Sequence, residues 1–170
     1  KEALALADRI TLLHNGNIEQ TGTADDLFYH PRTAFAAAFV GASNIIECNV
    51  RDNNSDRSRL SAGEGIEFAV NYYPVFDRHK VVRVCIHPEK ISLSDYPCGD
   101  NCFKARIIKV DHSDILAKIQ LDIGGMEITA KIPHSMFNPV KENTYVCFER
   151  NSITPLCGKT CKQNLCSKES

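Results

Sequence analysis

The sequence lacks most of the features that settle a function by themselves. Its 170 residues carry a net charge of −1, so it has no broad basic field of the kind that tracks a nucleic-acid backbone. No apolar run approaches the roughly 18 residues that mark a bilayer-spanning helix. Lys1 and Glu2 precede an Ala/Leu phrase with no cleavage site, so no secretory leader is read and a cytoplasmic location is expected. Without a leader, a disulfide framework is not expected either. A nucleotide-cradling loop of the form Gly-x4-Gly-Lys-Ser/Thr is not found. The one Gly-Lys, in "CGKT" at Gly158–Thr160, has no first glycine and stands in a polar tail. The six histidines share no i, i+4 spacing, and no nucleophile elbow is visible, so no catalytic residue is expected.

What is present is an ordinary globular balance, 43% hydrophobic and 24% charged, enough to bury a core. Cysteine stands out, with eight residues. Cys48, Cys85 and Cys147 sit in or beside apolar, strand-like runs and read as small buried hydrophobes. Cys98 and Cys102 bracket "CGDNC"; Cys157, Cys161 and Cys166 lie in the tail. Both clusters use Cys-x3-Cys, whereas zinc sites more often use Cys-x2-Cys or Cys-x4-Cys. These five thiols form an alternative metal- or redox-responsive set if the tail folds back onto the "CGDNC" loop.

The chain changes texture near residue 43. "EALALADR" reads as the end of a helix, and "RITLL" and "NIEQTG" as strands joined by an Asn15-Gly16 turn. Thr23 is placed to cap a helix over "ADDLFYH", with Asp25 and Asp26 in its first turn. "RTAFAAAFVG" follows as a second short helix, with Phe35 and Phe39 one turn apart and Gly41 at its end. From Ser43 onward β-branched residues alternate with polar ones. "NIIECNVR", "IEFAVNYYP", "KVVRVCIH", "KISLS", "CFKARIIKVDHS", "DILAKIQLDIG", "MEITAKIP" and "TYVCFERNSI" read as strands, with "DNNSDRS" as a loop and Gly124-Gly125 as a hairpin turn. The expected fold is mainly β: an OB-like small barrel over 44–156, preceded by a short α/β remnant over 1–43 and followed by a Cys-containing polar tail over 157–170. Phe68, Tyr72, Tyr73 and Phe76 read as core packing.

The opening phrases also carry a resemblance. Glu-Ala-x-x-x-Ala-Asp-Arg-Ile, the hairpin "NGNIEQTGT", a helix ending at Tyr-x-x-Pro, "FAAAFVG" and "NIIE" follow one another in residues 2–47. In that order and spacing they resemble the end of the ATP-binding subunit of an ABC importer. "VRVCIHPEKISLS" and "LDIGGMEITAKIPHSMF" are similar to the transport-associated OB domain that follows in such subunits, in the version of molybdate and tungstate importers, with His87 where arginine is usual. The chain is therefore expected to be a piece of a larger ATPase, with ATP and magnesium bound by parts of the parent that are not in this sequence and with no cofactor of its own. The resemblance implies a second copy of the same subunit and permease subunits as partners. It also implies a peripheral position on the inner face of the membrane and a small solute as cargo. An oxyanion such as tungstate or molybdate is the expected solute, with iron, a polyamine or a sugar as alternatives. On the same grounds Ser135 matches the family's serine, Asn151 and Ser152 fall near its small hydroxyl positions, and Thr129, Lys131 and His134 lie close to Ser135. Arg150 supplies a fork of donors. Glu149 stands at the usual lysine, where a carboxylate opposes an oxyanion unless Arg150 neutralises it.

Overall fold

Strand β1 (Ile10–His14) and β2 (Asn17–Gly22) form a two-stranded antiparallel sheet by themselves. In this computed structural model, which describes residues 7–112, 115–136, 143–156 and 158, Asn15 and Gly16 both adopt positive φ, 50° and 75°. Two such residues in a row give the turn whose twist matches a hairpin. The chain then enters α1 (Ala24–Tyr29). The Thr23 hydroxyl accepts from the Asp26 N–H at 3.1 Å while Asp26 Oδ2 accepts from the Thr23 N–H at 2.9 Å, a reciprocal cap. Gly22 makes this possible, since a Cβ there would lie 2.7 Å from Asp26 Cβ. Thr33 caps α2 (Ala34–Phe39) in one direction only, its hydroxyl accepting from the Ala36 N–H at 3.1 Å. Leu12, Leu27 and Ala36 make a small core between hairpin and helices, with Phe35 against it, while Phe39 is left exposed. Of the helix read over 2–9, residues 2–6 lie outside the described residues, and 7–9 are not helical.

Two five-stranded antiparallel sheets follow. The first has the order β12-β6-β3-β4-β5: β3 is Asn44–Asn53, β4 Arg57–Ala62, β5 Ile66–Asn71, β6 Val81–Ile86 and β12 Ile153–Leu156. The second has the order β10-β9-β8-β11-β7: β7 is Ile91–Ser94, β8 Cys102–Asp111, β9 Leu116–Ile123, β10 Met126–Pro133 and β11 Asn143–Phe148. Alternate residues of both sheets point inward and fuse into one core that includes Leu60, Phe68, Ile86, Leu121, Val146 and Ile153. The fold is mainly β and OB-like, as expected. Phe68, Tyr73 and Phe76 are buried in it.

Two buried asparagines close the gaps between sheets. Asn44 on β3 reaches β10, where its Oδ1 accepts from the Thr129 N–H at 2.6 Å and its Nδ2 donates to the Thr129 carbonyl at 2.8 Å. Asn101, just before β8, does the same for β5: Oδ1 accepts from the Ala69 N–H at 2.7 Å and Nδ2 donates to its carbonyl at 2.8 Å. β5 and β10 are each the last strand of their sheet. Each amide therefore replaces the neighbouring strand that the edge lacks.

The structure departs from the sequence reading in three strands. β3 runs on through Asp52 and Asn53, and β4, over which no strand was read, begins at Arg57 and Ser58; these four residues had read as loop. Ser58 and Leu60 are fully buried and Ala62 nearly so, while Arg57 and Arg59 point out. A polar residue in the inward register hid the alternation. "TYVCFERNSI" is not one strand. It breaks after Phe148 into a 3-10 turn at Arg150–Ser152 and resumes as β12, which pairs with the other sheet.

The leading segment joins the double sheet along β6. Val81 and Arg83 face out and are exposed, yet Cys85, of the same parity, is 1% exposed because Ala37 and Ala42 cover it. Phe28 stacks on His87 with ring centroids 4.2 Å apart, and His87 Nε2 donates to the Phe28 carbonyl at 3.0 Å. Thr154 Oγ1 donates to the Tyr29 carbonyl at 3.3 Å.

Candidate functional site

A cleft of about 1200 Å³ opens where both sheets approach α1. Its walls are the turn before β7 (Glu89, Lys90), the loop before β8 (Cys98 to Asn101) and the β11–β12 turn (Glu149 to Ser152). Ile91 and Ser92 of β7, Cys147 and Phe148 of β11, Tyr29 of α1, Asn71 of β5 and Asp56 of the β3–β4 loop complete it. The β11–β12 turn is fixed by the Ser152 N–H donating to the Glu149 carbonyl at 3.0 Å. The loop before β8 is fixed by Asn101, whose side chain holds Ala69 and whose carbonyl accepts from the Phe148 N–H at 3.0 Å.

The cleft gathers three of the seven oxyanion candidates: Arg150, Asn151 and Ser152. The other four lie on or just beyond β10. Lys131 ion-pairs with Glu89 at 3.0 Å, which ties it to the cleft rim through that carboxylate. Thr129 spends both backbone groups on Asn44. His134 stacks on His112 with centroids 5.3 Å apart, and Ser135 is exposed. None of these four lines the cleft. Arg150, the group that would have to neutralise Glu149, reaches Asp100, Nε to Oδ2 3.7 Å. The lining holds four carboxylates (Asp56, Glu89, Asp100, Glu149) against two cations (Lys90, Arg150). Lys131 pairs with Glu89 and Arg150 with Asp100, and all four carboxylates are exposed, so the cleft carries only a slight, solvent-screened excess of negative charge.

One cleft wall also carries sulfur. Cys102 and Cys147 sit directly opposite each other on β8 and β11, with Cα atoms 4.2 Å apart, and are disulfide-bonded. Cys147 is buried as read, at 4% exposed, but it is not a free thiol like Cys48 and Cys85, and a single disulfide forms where no disulfide framework was expected. The error was one of register. The pairing of β8 with β11 decides which cysteine faces Cys147, and neither segment alone discloses it. The free thiol of Cys98 lies 3.6 Å from Cys147 Sγ and 4.0 Å from Cys102 Sγ. Cys48 and Cys85 behave as read. Burial pushes both thiols up to about 12, which makes them unreactive near neutral pH. Cys157, Cys161 and Cys166 lie outside the described residues.

No protein-family profile matches the chain. Curated proteins do. The spermidine/putrescine import ATP-binding protein PotA of Nostoc sp. is 33% identical over 144 residues, which are 81% of this chain and 38% of PotA. The molybdate/tungstate import ATP-binding protein WtpC of Pyrococcus abyssi is 28% identical over 160 residues, 90% of this chain and 44% of WtpC. The sn-glycerol-3-phosphate import ATP-binding protein UgpC 3 of Agrobacterium fabrum is 33% identical over 115 residues, 68% of this chain and 30% of that protein. The chain thus spans less than half the length of these relatives. Among solved structures, the cytoplasmic molybdate-binding protein ModG superposes with a TM-score of 0.56 at 15% identity, covering 66% of this chain and 94% of ModG. At that identity the likeness speaks for the fold.

Proposed function

Given that the chain belongs to the family of ABC importer ATP-binding subunits, we propose that it serves as their carboxyl-terminal regulatory and dimerisation region, in a subunit that couples ATP hydrolysis to uptake of a small solute. The observation that carries this reading is the joint along β6. His87 is 8% exposed, stacked on Phe28 and bonded to its carbonyl, and Cys85 is buried under Ala37 and Ala42. A barrel held this way moves with the segment that precedes it. It passes a bias of about 1–3 kcal/mol to a motor that has two arrangements. Leu13, Ile18 and Phe39 on that segment are more than half exposed and supply apolar surface for the rest of the subunit. The partner of the barrel is its own copy, related by a two-fold axis. Sedimentation of the whole subunit, with and without everything after residue 43, tests this. The whole subunit is expected to dimerise without nucleotide, and the shortened one to remain monomeric while still binding ATP. Equal dimerisation of both would remove the proposal.

A second reading concerns the solute. With Lys131 counted beside its partner Glu89, the cleft sets four carboxylates against three cations, a slight excess that suits a cation such as a polyamine better than the oxyanion expected from the sequence. Thermal-shift titration with spermidine, molybdate and tungstate separates the two. A rise in Tm with spermidine alone is expected. A rise with molybdate or tungstate restores the oxyanion, and no rise with any of them leaves a purely dimerising role.

A further inference from the structure

We propose that Cys98, Cys102 and Cys147, when reduced, form a trithiolate site for one thiophilic cation of the Zn2+ type, and that closing the Cys102–Cys147 disulfide empties it. The inference stands on the sulfur geometry and does not rest on the importer reading. The three sulfurs lie within 4.8 Å of one another. The two separations from Cys98 are 3.6 and 4.0 Å. Zinc–sulfur bonds of about 2.3 Å place the sulfurs of a tetrahedral or trigonal site about 3.8–4.0 Å apart. Two edges of the triangle are therefore already at ligand spacing, and reduction frees the third.

Thiol–disulfide exchange, the other chemistry open to three cysteines, fits less well. In-line attack puts the incoming sulfur about one S–S bond, roughly 2 Å, further from the leaving sulfur than from the attacked one. Cys98 is nearly equidistant from the two. The site also has features of a ligand set. The Cys98 N–H donates to Cys102 Sγ at 3.2 Å, which holds the loop against the start of β8. Gly99, at φ 102°, turns the loop so that Cys98 folds back over the β8–β11 pair. Cys98 and Cys147 line the cleft, which gives the cation an entry route past Asp100 and Glu149. Thiolates select soft cations over magnesium or calcium.

The chemistry balances with a small thiol as reductant. Two equivalents of the thiol break the Cys102–Cys147 bond, deliver two electrons and two protons, and leave as their own disulfide. The cation then displaces one proton from each of the three cysteines. A small-molecule disulfide reverses this: Cys102 and Cys147 re-form their bond, two small thiolates leave and the cation is released.

The test uses the whole 170-residue chain, reduced with a phosphine and titrated with Co2+ as a spectroscopic stand-in for Zn2+. One equivalent is expected to bind with a thiolate-to-cobalt charge-transfer band, and Zn2+ to bleach it. The oxidised chain is expected to give no band. Cys98→Ser, on an exposed loop, is expected to fold normally and to weaken binding by more than the roughly 10–100-fold lost when an outer-shell partner is removed. The triple variant Cys157→Ser, Cys161→Ser, Cys166→Ser is expected to bind as the parent does. No stoichiometric band in the reduced chain, undiminished binding by Cys98→Ser, or loss of binding in the triple variant would each overturn the proposal.

Discussion

Residues 7–43 and the double sheet that follows bury apolar surface in different ways. The double sheet has one continuous core, and its open edges at β5 and β10 are stopped by Asn101 and Asn44. The leading segment has a core of Leu12, Leu27 and Ala36 with a few partly buried neighbours, and it leaves Leu13, Ile18, Tyr29 and Phe39 exposed. A two-stranded hairpin is marginal alone in water. The segment therefore owes much of its order to the β6 joint, while the barrel owes little to the segment. Order flows in one direction across the joint.

Core truncation gives the largest contrast. Phe68→Ala, at a 2% exposed ring packed on Phe148, is expected to cost about 3–5 kcal/mol and to take the segment down with the barrel. Leu27→Ala removes the centre of the smaller core and is expected to release the segment alone. Cysteine labelling reads the difference. Cys85 reports the joint and Cys48 the barrel interior. Leu27→Ala should speed modification of Cys85 and leave Cys48 protected. Phe68→Ala should speed both equally. Coupled exposure of both thiols in Leu27→Ala would mean the two regions form one cooperative unit.

The next effect belongs to the edge stops. Asn101→Ala strips the Ala69 N–H and carbonyl of their partners at a part-buried site. Unmet backbone groups cost about 1–3 kcal/mol, so a loss of about 2–3 kcal/mol is expected in denaturant unfolding. Amide exchange should rise first in β5 and in the loop that holds Cys98. A uniform rise across both sheets would show that Asn101 acts through general packing and not as a strand surrogate.

Local patterns in the sequence were enough for the hairpin, both helix caps and most strands. Asn15-Gly16 and Thr23 with Asp26 act through neighbours within a few residues. Strand alternation discloses inward residues such as Val82, Val84 and Ile86 in the same local way. Ser58 broke that signal because a polar side chain occupies an inward slot, satisfied there by Asn53 Oδ1. The site was less legible for a different reason. Its members meet across long separations: Asn101 with Ala69, Cys147 with Cys98 and Cys102, Arg150 with Asp100. Asn44 stood in plain view inside the "NIIE" phrase, yet its task of closing β10 depends on a partner 85 residues away. Proximity to Ser135 in sequence grouped Thr129, Lys131 and His134 with it. Thr129 and Lys131 share the outward face of β10, whereas His134 and Ser135 lie past its end in a 3-10 turn.

The smallest effect tests the segment's own contribution to its order. Asp26 has its carboxyl held below the usual range, chiefly because the Thr23 N–H donates to it, with the Thr23 hydroxyl and the charges of His30 and Arg9 adding to this against a partial loss of solvation. A carboxylate favoured in the folded state stabilises that state above the unfolded pKa of about 3.9, and this contribution disappears as pH falls through the lower folded value. Asp26→Asn removes the charge at all pH values. An acidic group at a helix start contributes about 0.3–1 kcal/mol, so the parent should exceed Asp26→Asn by about 0.5 kcal/mol at pH 6, read from amide exchange in α1. That advantage should shrink as pH falls below about 4 and vanish once pH is below the lower folded value. Stability of β8–β9 should not differ between the two proteins anywhere in this range. If it does, the cap of a six-residue helix reaches the barrel core, and the one-way dependence across the joint is not a property of this molecule.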